Sequence, residues 1–143
     1  MTALSNHRSV SLALGEATTR IKGFVSRRHF IRELTPGDGG PWTLILQLTM
    51  TERAAYRFNL TSHTPRLFVR CGDAGESPVP SAITASQDVA ASWMDGEQQV
   101  LDVAMPVAIQ SWLEAYLARH GEASEQGRKE KRKGADRDRE MSS

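Results

Sequence analysis

The chain has 143 residues, of which 39% are hydrophobic, and a formal net charge of +1. Its length suits a single domain that can bury a sizeable core. The sequence contains no run of about 18 apolar residues, which excludes a membrane-spanning helix, and no apolar export segment is recognisable. Cys71 is the only cysteine, which excludes an internal disulfide and agrees with a reducing compartment. We therefore expect a cytoplasmic protein without a membrane partner.

Charge is distributed unevenly along the chain. Residues 1–70 contain ten Lys and Arg against four Asp and Glu, residues 71–126 contain one against nine, and residues 127–143 contain seven against four. This pattern has two interpretations. Either the two halves of one domain face each other and their charges cancel, or the second half presents an acidic face to a basic partner or to the C-terminal segment.

Alternating apolar residues predict β-strands in the first half of the chain. Residues 10–14 alternate between Val or Leu and small residues, and residues 27–34 also have an extended pattern. The sequence PGDGG at residues 36–40 predicts a turn. The clearest strand covers residues 42–50. One face of it is apolar and consists of Trp42, Leu44, Leu46, Leu48 and Met50.

The following segment, residues 54–60, also alternates and predicts a second strand of this group. Its side chains would point inward at Tyr56, Phe58 and Leu60 and outward at Arg57 and Asn59. A third strand, at residues 66–70, follows a short turn, so the three strands predict an antiparallel meander. After a loop at residues 72–80, a short strand is predicted near residues 82–84.

Helical spacing begins after these strands. Ser86 is a suitable N-cap residue, Val89 and Trp93 lie four residues apart on one helix face, and Gly96 is a stop signal. Residues 98–104 are then predicted to be extended again.

A longer helix is predicted to start at Pro106, because proline is favourable as the first helical residue, and to end at Gly121. Its apolar residues recur at spacings of three and four, which is typical of an amphipathic helix. They are Ile109, Trp112, Leu113, Tyr116 and Leu117. We expect the aromatic residues of this helix to lie in the core.

The order of elements, strands first and helices last, predicts a single α+β domain over residues 1–121. We expect a curved antiparallel sheet of about five to six strands, followed by a short helix and a C-terminal amphipathic helix that packs on the sheet. Residues 122–143 are rich in charge and have no apolar periodicity, so they predict a disordered basic tail.

No motif in the sequence indicates a catalytic reaction or a cofactor. A nucleophile elbow and a phosphate-binding glycine loop are both absent. Cys71 follows Arg70, but neighbours on a strand point to opposite faces, so a small buried thiol is favoured over a reactive one. The histidines stand far apart in sequence and lack the spacing of a metal site. We therefore expect a protein that is not an enzyme, with no catalytic residue, no metal site and no cofactor.

The tail contains the clearest candidate for a partner contact, the sequence RKEKRK. Its cations are Arg128, Lys129, Lys131, Arg132 and Lys133. Such cations contact phosphates, so a nucleic-acid-binding module is one alternative. The run has no aromatic residue to stack on bases, and the charges alternate in sign after it. A solvated tail or a weak protein-docking segment is therefore favoured, and nucleic acid is not expected. A small-ligand site within the curved sheet is a third alternative.

Several segments in a fixed order resemble a known family. They are AYRFNL at residues 55–60, Pro65 with LFV at 67–69, ITAS at 83–86, VAMPVAIQSWLEAYLARH at 103–120, and the tail rich in Lys and Arg. Over roughly residues 52–133 this series resembles a bacterial family of short proteins, known as a domain of unknown function and often encoded beside formate dehydrogenase genes. The sequence departs from the family pattern in its N-terminal third and at Gln87, where proline is typical.

The resemblance implies a non-enzymatic accessory protein for the assembly, cofactor handling or regulation of a molybdenum- or tungsten-dependent formate dehydrogenase. The partner would be that enzyme or one of its assembly factors. The family supplies no catalytic residue that can be transferred to this chain. All the matching positions, Pro65 and Met105 included, have structural interpretations instead. Tyr56 and Trp112 would lie in the core, Asn59 would bond to backbone at a strand edge, and Pro106 would start a helix.

Overall fold

The computed structural model describes residues 6–72 and 78–121. Within them the strands are β1 (His7–Ile21), β2 (Phe24–Pro36), β3 (Trp42–Gln47), β4 (Arg66–Cys71), β5 (Pro80–Thr84) and β6 (Gln99–Ala104). The helices are α1 (Arg53–Leu60), α2 (Gln87–Asp95) and α3 (Val107–His120), and a short 3-10 turn at Met50–Glu52 precedes α1. The predicted α+β class is thereby confirmed.

The strands form two antiparallel three-stranded sheets, with the orders β2-β1-β3 and β5-β4-β6. The sheets meet at both edges, because β3 lies beside β5 and β2 lies beside β6. Buried side chains from both sheets, from α1 and from α3 belong to one hydrophobic cluster. The prediction of one curved sheet of five to six strands is therefore wrong, since the strands are divided between two sheets around a shared core.

The segment at residues 54–60 forms α1, so the predicted strand at this position is wrong, and so is the predicted meander. Tyr56 and Asn59 are buried, whereas Phe58, which the alternation directs inward, is 63% exposed. Positions three residues apart lie on one face of a helix but on opposite faces of a strand. Because α1 separates β3 from β4, these two strands enter different sheets.

The other predicted strands are confirmed, with differences at their ends. β1 continues to Ile21, well beyond the predicted alternation. β3 ends at Gln47, and Met50 is exposed in the 3-10 turn rather than placed on the apolar face of the strand. Leu46 and Leu48 of that face are buried, as predicted.

Both predicted helices in the second half are confirmed. Ser86 caps α2, since its Oγ accepts a hydrogen bond from the Val89 N–H at 3.2 Å. α3 begins at Val107, because Pro106 has an extended conformation (φ −61°, ψ 149°) and serves as the N-cap instead of the predicted first helical residue. Gly121 ends α3 with φ +80°, a conformation that favours glycine. The predicted apolar stripe is buried at Ile109, Trp112, Leu113, Tyr116 and Leu117.

β1 and β2 form a hairpin whose far end stands apart from the rest of the fold. β3 pairs with β1 only from His7 to Leu12, so the hairpin beyond this point has no third strand. Lys22 and Gly23 form its two-residue turn, and both have positive φ (51° and 85°), as tight hairpin turns require. Every residue from 18 to 28 is exposed. We call residues 18–28 the arm.

Replacing Trp112 by alanine should lower the free energy of unfolding by about 3–5 kcal/mol, because a large buried side chain is lost and a cavity remains. Urea denaturation followed by circular dichroism measures this change. Val107→Ala is the matched control, since Val107 lies on the same helix but is 75% exposed, and it should change stability by less than about 0.5 kcal/mol. A loss below about 1 kcal/mol for Trp112→Ala would place this side chain outside the core.

Candidate functional site

The cations predicted to dock a partner lie outside the described residues, as does the whole predicted tail at residues 122–143. They are Arg128, Lys129, Lys131, Arg132 and Lys133. Their role stays a prediction. The segments that carry the family resemblance before the tail are described, and they meet at one place in the fold, the region around the last turn of α1.

Asn59 joins three of these segments through its side-chain amide. Its Nδ2 donates to the Arg66 carbonyl oxygen at 2.7 Å and to the Ala85 carbonyl oxygen at 2.8 Å, while its Oδ1 accepts from the Arg66 N–H at 2.9 Å. The amide is buried, so water does not compete for these bonds. The predicted bonding of Asn59 to backbone is confirmed, but it comes from a helix rather than from a strand.

The segment that leads into α3 meets the same region through Pro65. The Met105 N–H donates to the Pro65 carbonyl oxygen at 2.9 Å, and the Gln110 Nε2 donates to the Met105 carbonyl oxygen at 3.0 Å. The start of α3 is therefore held against the residue that precedes β4. The order of short motifs in the sequence corresponds to a set of segments that bond to one another in space.

Ser86 links the N-terminal ends of α1 and α2. Besides capping α2, its Oγ donates to the Glu52 Oε1 at 2.6 Å, and its backbone N–H donates to the Thr84 Oγ1 at 3.1 Å. Glu52 is the N-cap residue of α1. Its carboxylate therefore lies at the positive ends of two helix dipoles, where negative charge is stabilising.

Arg53 connects the start of α1 to the end of α3. Its Nη1 donates to the carbonyl oxygens of His120 at 2.6 Å and of Gly121 at 3.1 Å. The last carbonyl groups of a helix have no partner within the helix, so this guanidinium satisfies groups that would otherwise need water. Its charge also suits the negative end of the helix dipole.

Tyr56 ties the loop before α1 to the core. Its hydroxyl oxygen accepts a hydrogen bond from the Thr49 N–H at 3.0 Å, and its ring lies edge-on to that of Tyr116, with the centroids 6.4 Å apart. Burial raises the pKa of Tyr56, and the hydrogen bond from Thr49 only partly opposes this effect. The hydroxyl therefore stays neutral and acts as a structural hydrogen-bonding group.

Within residues 6–72 and 78–121, two ion pairs cross between the basic first half of the chain and its acidic second half. Arg57 contacts Glu114 at 3.0 Å, and Arg66 contacts Asp102 at 3.0 Å. At these two places the charges of the halves cancel, as the first interpretation of the charge pattern predicts. Because the side chains are partly exposed, each pair stabilises the fold by no more than about 1 kcal/mol.

Cys71 is completely buried, which agrees with the predicted structural thiol. Burial raises the pKa of the Cys71 thiol, because the charged thiolate loses its hydration. The protonated form is a poor nucleophile. Among the described residues no group of three or more His, Cys, Asp and Glu side chains could hold a metal ion, and no helix there is long and apolar enough to cross a membrane.

A cleft of about 900 Å³ lies where the end of β4 faces the turn after α2. The Arg70 guanidinium lies over the Trp93 ring at 5.3 Å, and its Nε donates to the Ser81 Oγ at 3.1 Å. Ser81, Glu97 and Met94 are among the lining residues, so the wall is partly polar and partly apolar.

The arm is the surface feature that sequence reasoning missed. The sequence pattern that could have predicted it is RIKGFV at residues 20–25, in which Lys22 and Gly23 form a turn between two short strand segments. A lysine–glycine pair is a weaker turn signal than asparagine–glycine, and the residues before it do not alternate between apolar and polar. The hairpin therefore has no clear pattern of the kind that reveals a half-buried strand.

Replacing Asn59 by alanine should lower the free energy of unfolding by about 2–4 kcal/mol, because it leaves the N–H and carbonyl of Arg66 and the carbonyl of Ala85 without their buried partner. Chemical denaturation measures the loss. Ser62→Ala is the matched control, since its hydroxyl donates to a nearby backbone carbonyl at an exposed position. If both variants lose the same amount, the buried amide has no special role.

Asn59→Asp should make stability depend on pH. The new carboxyl would face two carbonyl oxygens in a buried position, so its pKa in the folded state should lie above the value of about 3.9 in the unfolded chain. The folded state then binds the proton more tightly, and the free energy of unfolding should fall as the pH rises from about 4. Denaturation of the variant and of the natural protein at pH 4 and pH 7 measures the difference, which should be larger at pH 7; a difference independent of pH would contradict the buried geometry.

Cys71 should react with a thiol reagent such as Ellman's reagent only when the protein unfolds, because the sulfur is buried and protonated. The absorbance of the released thiolate, followed with and without denaturant, measures this. Complete reaction within minutes in native buffer would show that the thiol is accessible.

The segments that meet around α1 lie within a stretch that also matches a family model. Residues 42–133 match the model described as a protein of unknown function, DUF3305. The matched stretch begins at β3, so it omits the whole hairpin formed by β1 and β2. No curated protein and no solved structure matches the chain. Because the match covers more than half of the chain, the protein belongs to the DUF3305 family of proteins of unknown function.

Proposed function

We propose that this protein is a non-catalytic accessory protein whose client is a molybdenum- or tungsten-dependent formate dehydrogenase. The supporting observation is that the residues which carry the family resemblance have structural roles. Asn59, Tyr56 and Met105 each bond to backbone of a neighbouring segment, and Trp112 is buried in the core. The side chains of Asn59, Tyr56 and Trp112 and the backbone of Met105 thus have structural roles, which leaves the surface for binding. The identity of the client rests on the resemblance described from the sequence.

An acidic surface around α2 is the part of the described molecule best suited to a basic partner. Asp88, Asp95 and Glu97 are exposed on α2 and in the turn after it, and the apolar side chain of Met94 is exposed between them. Exposed carboxylates raise the rate of encounter with a basic surface and are screened by salt. A weak contact of this kind suits a factor that binds its client during maturation and then leaves.

Deletion of the gene should lower formate dehydrogenase activity in cells, while the purified protein should convert no formate. A gene that lacks the codons for residues 127–133 should restore the activity only in part, because the predicted docking cations are lost. Formate-dependent dye reduction in extracts, normalised to the amount of the enzyme, measures the effect, and metal and cofactor content report its loading.

The acidic surface is tested in the same cells with a triple variant, Asp88→Lys, Asp95→Lys and Glu97→Lys. Glu33→Lys is the matched control, because Glu33 is an exposed acid on β2, away from α2. We expect the triple variant to fail and the control to restore full activity. Deletion cells with normal formate dehydrogenase activity and normal cofactor loading would contradict the proposal. So would nucleic-acid binding at about 0.15 M salt that depends on residues 128–133.

A further inference from the structure

The arm is a two-stranded ribbon that the rest of the domain does not support. Ile21 pairs with Phe24 and Arg20 pairs with Val25, next to the turn. The strands rise about 3.3 Å per residue, so the turn lies roughly 10 Å beyond the pair formed by Thr18 and Arg27. The hydrogen bonds between the strands maintain the ribbon, but its side chains face solvent.

The end of the arm is apolar. Ile21, Phe24 and Val25 are 61%, 78% and 56% exposed. Single exposed apolar residues are common on protein surfaces, but a group of them at the tip of a projecting element marks a binding surface. Ile21 and Phe24 are cross-strand partners and share one face, while Val25 lies on the other face. An apolar end cap therefore covers both faces of the ribbon.

Cations surround this apolar end. Arg20, Lys22, Arg27 and Arg28 lie in the arm, which contains no Asp or Glu. Arg27 contacts Glu16 at 3.3 Å, near the base of the arm. Among the described residues, Arg20, Lys22 and Arg28 form no ion pair. The arm thus has a net charge of +4, most of which is directed at solvent.

The order of these groups along the arm indicates what it binds. An anionic lipid surface has phosphates on the outside and hydrocarbon a few ångströms deeper. Interfacial protein segments insert their apolar side chains about 5–10 Å into this surface, and their cations stay among the headgroups. The arm has the same order, with apolar residues at its end and cations beside and behind them. A ribbon that reads base edges in a nucleic-acid groove would place polar side chains at its point of deepest contact. A ribbon that kinks DNA can insert apolar side chains, so duplex DNA is the competing ligand in the test below.

We propose that the arm binds the surface of an anionic lipid bilayer, with Ile21, Phe24 and Val25 in the interface and the four cations at the lipid phosphates. Only the tip enters, because the ribbon has open edges whose backbone groups need water. The expectation of no membrane partner came from the lack of a spanning helix, and a peripheral contact does not need one. This inference is independent of the formate dehydrogenase proposal, because that proposal holds for a soluble enzyme and for a membrane-associated one.

The test uses the full chain and vesicles of phosphatidylcholine with or without phosphatidylglycerol. Sedimentation should show binding only to the vesicles with phosphatidylglycerol. Ile21→Ser with Phe24→Ser should weaken this binding by about tenfold or more. Phe58→Ser is the matched control, since Phe58 is an exposed aromatic residue on α1, and it should bind as the natural protein does. Gln in place of Arg20, Lys22, Arg27 and Arg28 should also weaken binding and reduce its dependence on salt.

A fluorescent probe separates insertion of the arm from adsorption of the basic tail. Val25→Cys can be labelled selectively with an environment-sensitive dye, because the native Cys71 is buried. Its emission should shift to shorter wavelength with anionic vesicles, and a label at Phe58→Cys should not respond. Three results would overturn the proposal: an unchanged emission at position 25, binding unaffected by the tip variant, or binding of duplex DNA by the arm cations without any binding of vesicles.

Discussion

The buried amide of Asn59 determines how the elements of this domain are joined. A side-chain amide in the interior must have partners for its donors and its acceptor. Asn59 obtains them from the backbone at the start of β4 and just after β5. One side chain on α1 thereby bonds to the ends of two neighbouring strands of the second sheet and attaches the helix to that sheet.

The position of α3 follows from this arrangement. α1 is fixed to the second sheet by Asn59, and Arg53 at its other end binds the terminal carbonyl groups of α3. Met105 bonds to the residue before β4, so the start of α3 is fixed to the same sheet. The helix is therefore held at both ends, and its apolar stripe belongs to the core that both sheets share. The core depends on polar contacts at its margin as well as on the apolar side chains within it.

The parts of the fold that could be predicted from the sequence are those with local signals. The stripe of α3, the cap at Ser86 and the stop at Gly121 each depend on residues a few positions apart. α1 could not be predicted in this way, because Tyr56, Phe58 and Leu60 imitate the period of a strand. The helix brings Asn59 to partners that lie 7 and 26 residues away, and local periodicity carries no information about them. The division of the strands into two sheets is likewise a property of distant contacts.

The candidate surfaces show the same distinction. The bonding of Asn59 to backbone follows from its residue type and was predictable, whereas its partners were not. The charge pattern predicted contacts between the halves, and the described part of the chain contains two such ion pairs, at Arg57 and Arg66. Neither face of the arm is buried, so its sequence has no alternation of apolar and polar residues. Hydrophobic periodicity therefore could not predict these parts of the two strands.

The open edges of the arm have a consequence for the behaviour of the protein in concentrated solution. A ribbon with unpaired backbone groups on both sides is a template for strand addition, and hence for aggregation. Arg20 lies on one strand of the arm and Arg27 and Arg28 lie on the other, so either edge is lined by positive charge. Two copies that approached edge to edge would bring like charges together in the geometry of adjacent strands, where repulsion is strongest. The cations therefore oppose edge-to-edge association of the arms while the apolar end remains exposed.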